Sequence, residues 1–378
     1  MKAIALYGGS FDPPHIGHQA VIEAVLQNYA VKQLYVIPCR SVNGKNQEYL
    51  NSSAEQRLSL CRAAFQELKD VTVSSFETDR EGPSYTADTV RHFRQNNPEL
   101  PIFLIIGQDK LESLANWVDA DYILSQCEIL VAGRSCDTAS DTRHTEYRIL
   151  NNSRVDISSA EIREQLKRGG GVQYLNDSVY GLIVKQNLYD VRVNLDWLRE
   201  KSYAFLKKKR IPHVEGCERT AVELAIKFGC DPHKAAKAAI LHDITKKLDR
   251  NGQLLLCGKY DIICDDEELS NEKLLHSITG AYLARDLFGV EDDIFNAIRW
   301  HTTGKPNMTM LEKIIYLADY IEPTRDFPGV EELRREVYSD LDAGMALGLR
   351  MSLKEIQSYG VIPHKNSREA YAYYKERC

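Results

Sequence analysis

The stretch Gly8-Gly9-Ser10-Phe11-Asp12-Pro13-Pro14-His15-Ile16-Gly17-His18 joins a short apolar run, Ala3-Ile4-Ala5-Leu6-Tyr7, to a segment with helical periodicity over 19–26. A buried strand, a glycine-rich bend and a helix start form an anion site, because backbone N–H groups and the positive end of the helix dipole face one point. His15 and His18, three residues apart, share one face of the first helical turn. A plain tight turn accounts for Gly8, Gly9, Pro13 and Pro14, but not for two histidines with Gly17 between them.

The rest of the first half repeats this alternation. Further strands are expected at 34–38, 71–73, 102–106 and 128–132, the last of the run, with helices between them. Ser53 and Gln56 have capping-box spacing at the start of one such helix. Apolar runs that do not alternate indicate a parallel sheet covered on both faces, in which ligands sit at the carboxyl ends of the strands. The marked residues fall there: the histidines after the first strand, Asp109 after Gly107, and Arg134 after Ala132. Residues 155–163 read as a strand end, an N-cap serine and a helix carrying Arg163, which suits either phosphate or an ordinary capped helix.

Length and composition bound the alternatives. A chain of 378 residues is too long for one ordinary core, and 43% hydrophobic with 27% charged residues suits globular domains. No apolar run approaches the about 20 residues that span a bilayer, and the first residues leave no room for a signal peptide. The expectation is a cytoplasmic enzyme with no membrane partner. Residues 1–190 hold 19 Lys+Arg against 24 Asp+Glu; subtraction from 48 and 54 leaves 29 against 30 for 191–378. Neither half is basic, so a nucleic-acid partner is not expected. Nine scattered cysteines with no C-x-x-C suit reduced thiols better than disulfides or a structural zinc site.

Four motifs carry a family resemblance: GGSFDPPHIGH (8–18), GPSYTADTV (82–90), IIGQDKLESLANW (105–117) and ISSAEIR (157–163). Residues 1–190 resemble the bacterial nicotinate-mononucleotide adenylyltransferases of the nucleotidyltransferase superfamily. H-x-G-H is shared with several other nucleotidyl-transfer families; the second and third motifs point to the pyridine-nucleotide branch. The resemblance implies a Rossmann-like, doubly wound parallel sheet that binds ATP with Mg2+ and nicotinate mononucleotide. Within it, Gly8, Gly9, Ser10, Phe11 and Gly107 would line the nucleotide, with His15 and His18 catalytic at the ATP phosphates. Asp109 would hold the adenosine ribose, and Ser158 and Arg163 the β- and γ-phosphates. Trp117 would stack on the nicotinate ring, with Tyr85 and Thr86 donating to its carboxylate, and Arg134 would meet the mononucleotide phosphate. Where the family has a P-P-H-K loop this chain has Arg40-Ser41-Val42-Asn43-Gly44-Lys45, so Lys45 stands in for the family lysine without its neighbouring histidine.

After Tyr189-Asp190 the pattern becomes all-helical. Lys207-Lys208-Lys209-Arg210 reads as a solvated helix face. His213 opens one helical pattern, and His242-Asp243 lie inside an apolar helix over 235–248. His276 sits in another pattern, His301 follows a fourth, and Asp319 interrupts a fifth. A polar residue on an apolar face costs a few kcal/mol unless paired, roughly 2–7 kcal/mol by transfer data. Five helices each presenting such a residue point to a metal, and imidazole with carboxylate permits iron, manganese, zinc or magnesium. No thiolate enters this expected set.

The order H…HD…H…H…D, with LHDITK (241–246), LLHSITGAYLARDLFG (274–289) and the run 298–334, resembles the HD phosphohydrolases. Among them it is similar to the bacterial symmetrical diadenosine-tetraphosphate hydrolases. The resemblance covers about 196–365, within an all-helical domain expected over 196–378, and implies a dinuclear centre, iron first, with manganese or zinc as alternatives. His213, His242, Asp243 and Asp319 would hold one metal. His276 and His301, with catalytic Asp243 bridging, would hold the other. Water activated there would cleave diadenosine tetraphosphate to two ADP, with Lys246, Lys305 and Arg325 as phosphate contacts or plain surface charge. The family's Gly-Pro after the third histidine is Ser277-Ile278 here. Two other readings of this half are a general nucleotidase and a nucleotide sensor regulating the first half. Self-association into a homo-oligomer is left open.

Overall fold

In β1 (Ala3–Gly9), residues 3 to 7 are all buried although they point alternately to opposite sides, so both faces of the strand are covered. The computed structural model describes residues 2–41, 50–133, 147–150 and 155–377. They divide into two units, Met1–Val193 and Asn194–Cys378.

In the first unit, strands β1, β2 (Val31–Pro38), β3 (Val71–Val73), β4 (Ile102–Gly107), β5 (Cys127–Ala132) and β6 (Tyr147–Leu150) form one sheet. Its order is β3-β2-β1-β4-β5-β6, and every pairing is parallel. Ala5 and Tyr7 pack with Val21, Ile22 and Val25 of α1 (Ile16–Asn28) and with Cys61 and Phe65 of α2 (Ala54–Phe65). On the other face, Ile4 and Leu6 pack with residues of three helices past α3 (Phe76–Asp79). These are Ala87, Val90 and Phe93 of α4 (Thr86–Asn96), Leu111 of α5 (Gln108–Leu111) and Ile123 of α6 (Ala120–Gln126). The helices α7 (Ser159–Leu166) and α8 (Asp177–Lys185) complete the unit. The expected doubly wound sheet is present, and its direction of winding reverses between β1 and β4, where ligands bind such sheets.

Two local expectations change. The sheet does not end at 128–132: β6 pairs with β5 from Ile129↔Tyr147 to Ala132↔Leu150. Its four residues, YRIL, are too short and too exposed at their centre to announce a strand. Residues 155–158 are not in a strand, although Ser158 caps α7 as expected.

Among its described residues the second unit contains helices and turns alone. They are α9 (Leu195–Tyr203), α10 (Ile211–Phe228), α11 (Pro232–Leu241), α12 (Arg250–Lys259), α13 (Asp266–Ser270), α14 (Glu272–Phe288), α15 (Asp292–Trp300), α16 (Met310–Ile321), α17 (Val330–Ser339), α18 (Leu341–Ser358) and α19 (Lys365–Lys375). Gly229 ends α10 at φ +74, and Asp231 then caps α11 by accepting from the N–H groups of His233 and Lys234. That short link lets α11 pack back against α10.

His242-Asp243 is not inside a helix. α11 stops at Leu241, His242 is its C-cap, and 242–247 form turns. Hydrogen bonds span three residues here, from Ile244 N–H to Leu241 O and from Lys246 N–H to Asp243 O. The apolar rhythm runs on through Ile244, so periodicity alone overruns the true end of the helix.

Candidate functional site

His15 is the N-cap of α1, and its Nδ1 accepts from Gly17 N–H at 3.1 Å. His18 Nδ1 accepts in turn from His15 N–H at 3.2 Å. A ring nitrogen that accepts carries no hydrogen, so each ring holds its proton on Nε2. The two imidazoles lie 3.9 Å apart between centroids. The pair thus satisfies backbone donors of the helix start, and its two ring hydrogens are carried on Nε2 in a fixed tautomer. Gly17 is required by this packing, since a Cβ there would stand 2.9 Å from His15 Cε1. We expect Gly17→Ala to displace the His15 ring and lower the turnover of this site by up to about 10²-fold with thermal stability nearly unchanged. Wild-type steady-state kinetics in that variant would remove His15 from the mechanism.

The loop before α1 is anchored by residues that sequence reasoning left unassigned. Asp12 is buried; its Oδ2 accepts from Asn51 N–H at 2.8 Å, and its Oδ1 from Ser52 Oγ and from Tyr189 Oη at 2.8 Å. Burial raises the Tyr189 phenol pKa, so it remains a donor. Fully buried Arg57 donates to Ser10 O at 2.9 Å and Arg40 O at 3.3 Å. Asp12 lay in the decisive stretch, but only its distant partners reveal its work.

Of the expected ligand residues, Gly8 has open space where a Cβ would be, whereas Gly9 lies against the Phe11 ring. The Phe11 side chain is buried, 4.9 Å from His18 between centroids, so it supports the histidine from the core. At the end of β4, Gly107 leaves room for Asp109 Oδ1, which a Cβ would approach to 2.5 Å. Asp109 pairs with Lys110 at 3.2 Å on an exposed surface. Tyr85 is exposed at the start of α4, Thr86 is its first residue, and the Trp117 indole donates to Ser113 Oγ at 3.3 Å. Arg163 donates to Asp12 O at 2.6 Å, tying α7 to the histidine loop. Ser158 is occupied in a capping box with Glu161, the ordinary-cap reading. Lys45 and Arg134 lie outside the described residues.

In the second unit six residues distant in sequence converge. His213 comes from α10, His242 and Asp243 from the end of α11, His276 from α14, His301 from the C-cap of α15, and Asp319 from α16. Asp243 Oδ1 faces His276 Nε2 at 3.2 Å and His301 Nε2 at 3.8 Å. Its Oδ2 faces His242 Nε2 at 3.5 Å and His213 Nε2 at 4.0 Å. Asp319 Oδ1 lies 3.1 Å from His213 Nε2.

The outward nitrogens explain the orientation. His242 Nδ1 contacts Ala239 O at 2.6 Å and His301 Nδ1 contacts Ile298 O at 2.7 Å. His213 Nδ1 contacts Glu322 Oε1 at 2.9 Å. Oxygens that only accept place the hydrogen on Nδ1, which turns the Nε2 lone pairs of His242 and His301 inward. His242 Nε2 and Asp243 Oδ1 are buried without a hydrogen-bond partner. Inward lone pairs beside unpartnered buried atoms fit a divalent cation. Glu322, buried under Gly216, is the outer carboxylate that sequence reasoning missed.

Electrostatics follow the geometry. Burial pushes the Asp243 carboxyl up, yet its histidine partners and Lys246 outweigh that and hold it well below the ordinary range. Asp319 shows the same balance through His213 and Arg325. Burial drives His301 well below its ordinary value, and His276 and His242 add to the drop. Three cations stand on these carboxylates: Arg210 Nε at 2.6 Å and Lys246 Nζ at 3.8 Å from Asp243, and Arg325 Nη2 at 2.5 Å from Asp319. Arg210 therefore does not belong to the solvated face read from 207–210. Lys305 is instead paired at 3.1 Å with buried Glu312, which accounts for its charge.

A doubly wound sheet with a histidine-capped helix at its winding reversal, and a helical unit with a buried His/Asp centre, define a nucleotidyl-transfer fold joined to an HD-type phosphohydrolase fold. The cytidylyltransferase-like family matches residues 6–165, and the HD domain family matches 210–324. The symmetrical bis(5'-nucleosyl)-tetraphosphatase of Halalkalibacterium halodurans is 45% identical over 38% of this chain and 77% of its own length. A probable nicotinate-nucleotide adenylyltransferase of Albidiferax ferrireducens is 37% identical over 43% of this chain and 85% of its own. A probable nicotinate-nucleotide adenylyltransferase/Ap4A hydrolase of Mycoplasma pneumoniae is 27% identical over 85% of this chain and 88% of its own length. The chain belongs to the nicotinate-nucleotide adenylyltransferase family through its first unit and to the symmetrical bis(5'-nucleosyl)-tetraphosphatase family through its second.

Among the described residues no helix is long and apolar enough to cross a membrane, and the seven described cysteines are free thiols.

Proposed function

We propose that the chain is a bifunctional enzyme with two chemically separate centres. The first, carried by residues 1–190, transfers the adenylyl group of ATP to nicotinate mononucleotide, giving deamido-NAD and pyrophosphate. The second, carried by 196–378, hydrolyses diadenosine tetraphosphate symmetrically to two ADP. One observation in each unit supports this: the two Nε2–H donors at the start of α1, and an Asp243 whose two oxygens face two different histidine pairs.

Adenylyl transfer requires two polyanions held in line and charge stabilised at the α-phosphate, with no protein nucleophile. His15 and His18 supply neutral donors of fixed tautomer, reinforced by the dipole of α1. Gly8 leaves room for a phosphate to approach the backbone. Trp117 stacks on the nicotinate ring, with Tyr85 and Thr86 at its carboxylate. Arg163 and Ser158 border the far end of the triphosphate, and Mg2+ accompanies ATP. Trp117→Ala is expected to raise the KM for nicotinate mononucleotide by about tenfold with kcat little changed, as loss of stacking requires. An unchanged KM in steady-state kinetics rejects that placement.

In the second unit, His213, His242, Asp243, His276, His301 and Asp319 would hold two divalent ions, iron being our first assignment. Such a pair supplies activated water and a clamp on the attacking and leaving oxygens. The chain's own contribution is orientation. Glu322, Ala239 O and Ile298 O hold three imidazoles inward. The half-buried Arg210 and Arg325 and the exposed Lys246 bind the polyphosphate from the rim of the carboxylate cluster.

Both assays on the same purified protein, in the cytoplasmic pH range, test the whole assignment. We expect two ADP from the tetraphosphate, none after chelation, and adenylyl transfer that survives restoration of magnesium alone. Phosphate release from AMP would favour a general nucleotidase. A dinucleoside polyphosphate that alters adenylyl transfer without being cleaved would favour a sensor.

A further inference from the structure

We propose that Cys217 is itself a ligand of the second unit's metal centre, so that one of the two positions carries a thiolate. This rests on the metal reading above and adds a donor absent from the six-residue set.

Cys217 lies one helical turn beyond His213 on the same face of α10 and is buried. Its Sγ is 3.3 Å from His213 Nε2. Single donor atoms of His213, Cys217, His242 and Asp319 all lie within 4.8 Å of one another. Metal–sulfur and metal–nitrogen bonds of about 2.3 and 2.0 Å put neighbouring tetrahedral donors roughly 3.5 Å apart. The sulfur–nitrogen separation is therefore that of two ligands sharing one ion. A thiol donating to His213 would explain that contact by itself. It would not explain His242 Nε2, which belongs to the same group of four, is 1% exposed and has no hydrogen-bond partner.

The cluster is also lopsided. Around Asp243 Oδ1 stand His276 and His301, whereas the Oδ2 side gathers His213, His242, Asp319 and Cys217. A soft sulfur on one side only would make the two positions unequal, the sulfur side selecting zinc, cobalt or iron over manganese and magnesium. Ligation converts Cys–SH and a divalent ion into Cys–S–metal with one proton released to water, and no electron changes hands.

The test uses the full-length protein, stripped by a chelator and titrated with cobalt(II). Sulfur ligation gives a sulfur-to-cobalt charge-transfer band in the near ultraviolet, which imidazole and carboxylate ligands do not produce. We expect the band in the wild type and its loss in Cys217→Ser and Cys217→Ala, with bound cobalt by elemental analysis retained in Cys217→Ser. Zinc affinity should fall on the order of tenfold more than manganese affinity in the variants. The serine variant conserves volume and reads the result even where the alanine variant folds poorly. Bound cobalt without the band, or a band that persists in Cys217→Ala or Cys217→Ser, overturns the inference and leaves the metal centre standing. A wild-type protein that binds none of cobalt, zinc, manganese or iron overturns the metal reading and this inference together.

Discussion

His18→Ala is expected to lower adenylyl transfer by about 10²–10³-fold, the usual consequence of removing one donor aimed at a developing oxyanion. The ring sits on the third residue of α1, accepts from His15 N–H at 3.2 Å and lies against the Phe11 ring. Its loss removes one Nε2–H and one backbone partner, so the His15 cap loosens as well. On the proposed role both effects act on the same phosphate, so the penalty should fall mainly on kcat. The remaining stability of the first unit comes from two apolar layers on the sheet, which the substitution leaves in place. Steady-state kinetics beside circular dichroism and thermal melts checks this. A folded variant retaining near-normal kcat would falsify the role.

Asp243→Asn is the second large effect. It keeps the shape of a residue that is 1% exposed but exchanges one oxygen for an amide donor and removes the negative charge. Asp243 is the residue whose two oxygens serve both halves of the cluster, so metal content by elemental analysis should fall for both positions. The loss in affinity should exceed the about 10–100-fold that follows removal of an outer partner. Tetraphosphate hydrolysis should drop to the level seen with chelator, and adenylyl transfer should be unaffected. Arg210 loses its partner at 2.6 Å, so some thermal destabilisation accompanies the change. Full metal content in this variant removes Asp243 from the ligand set, whatever its activity.

The order of strands and helices in the first half was legible because each buried strand is a continuous apolar run and each βα turn is marked by glycine or a cap. The histidines were legible because their spacing matches a helical turn. β6 was hidden by shortness, and the end of α11 by an apolar rhythm that continues past it. Arg210 looked like the last of four surface cations, since sequence records charge but not the direction of a side chain.

By itself, then, the sequence determined the doubly wound sheet, the change to an all-helical half near residue 190 and which histidines and aspartates come together in the second half. Those features are set by local periodicity and by residue types whose burial needs a partner. Tertiary structure alone decided what each donor faces. Asp12 meets Tyr189, His213 meets Glu322, and Asp243 divides its oxygens between two histidine pairs, across separations that no local pattern encodes. Such contacts arise only when helices distant in sequence pack, because side-chain direction follows from the completed core.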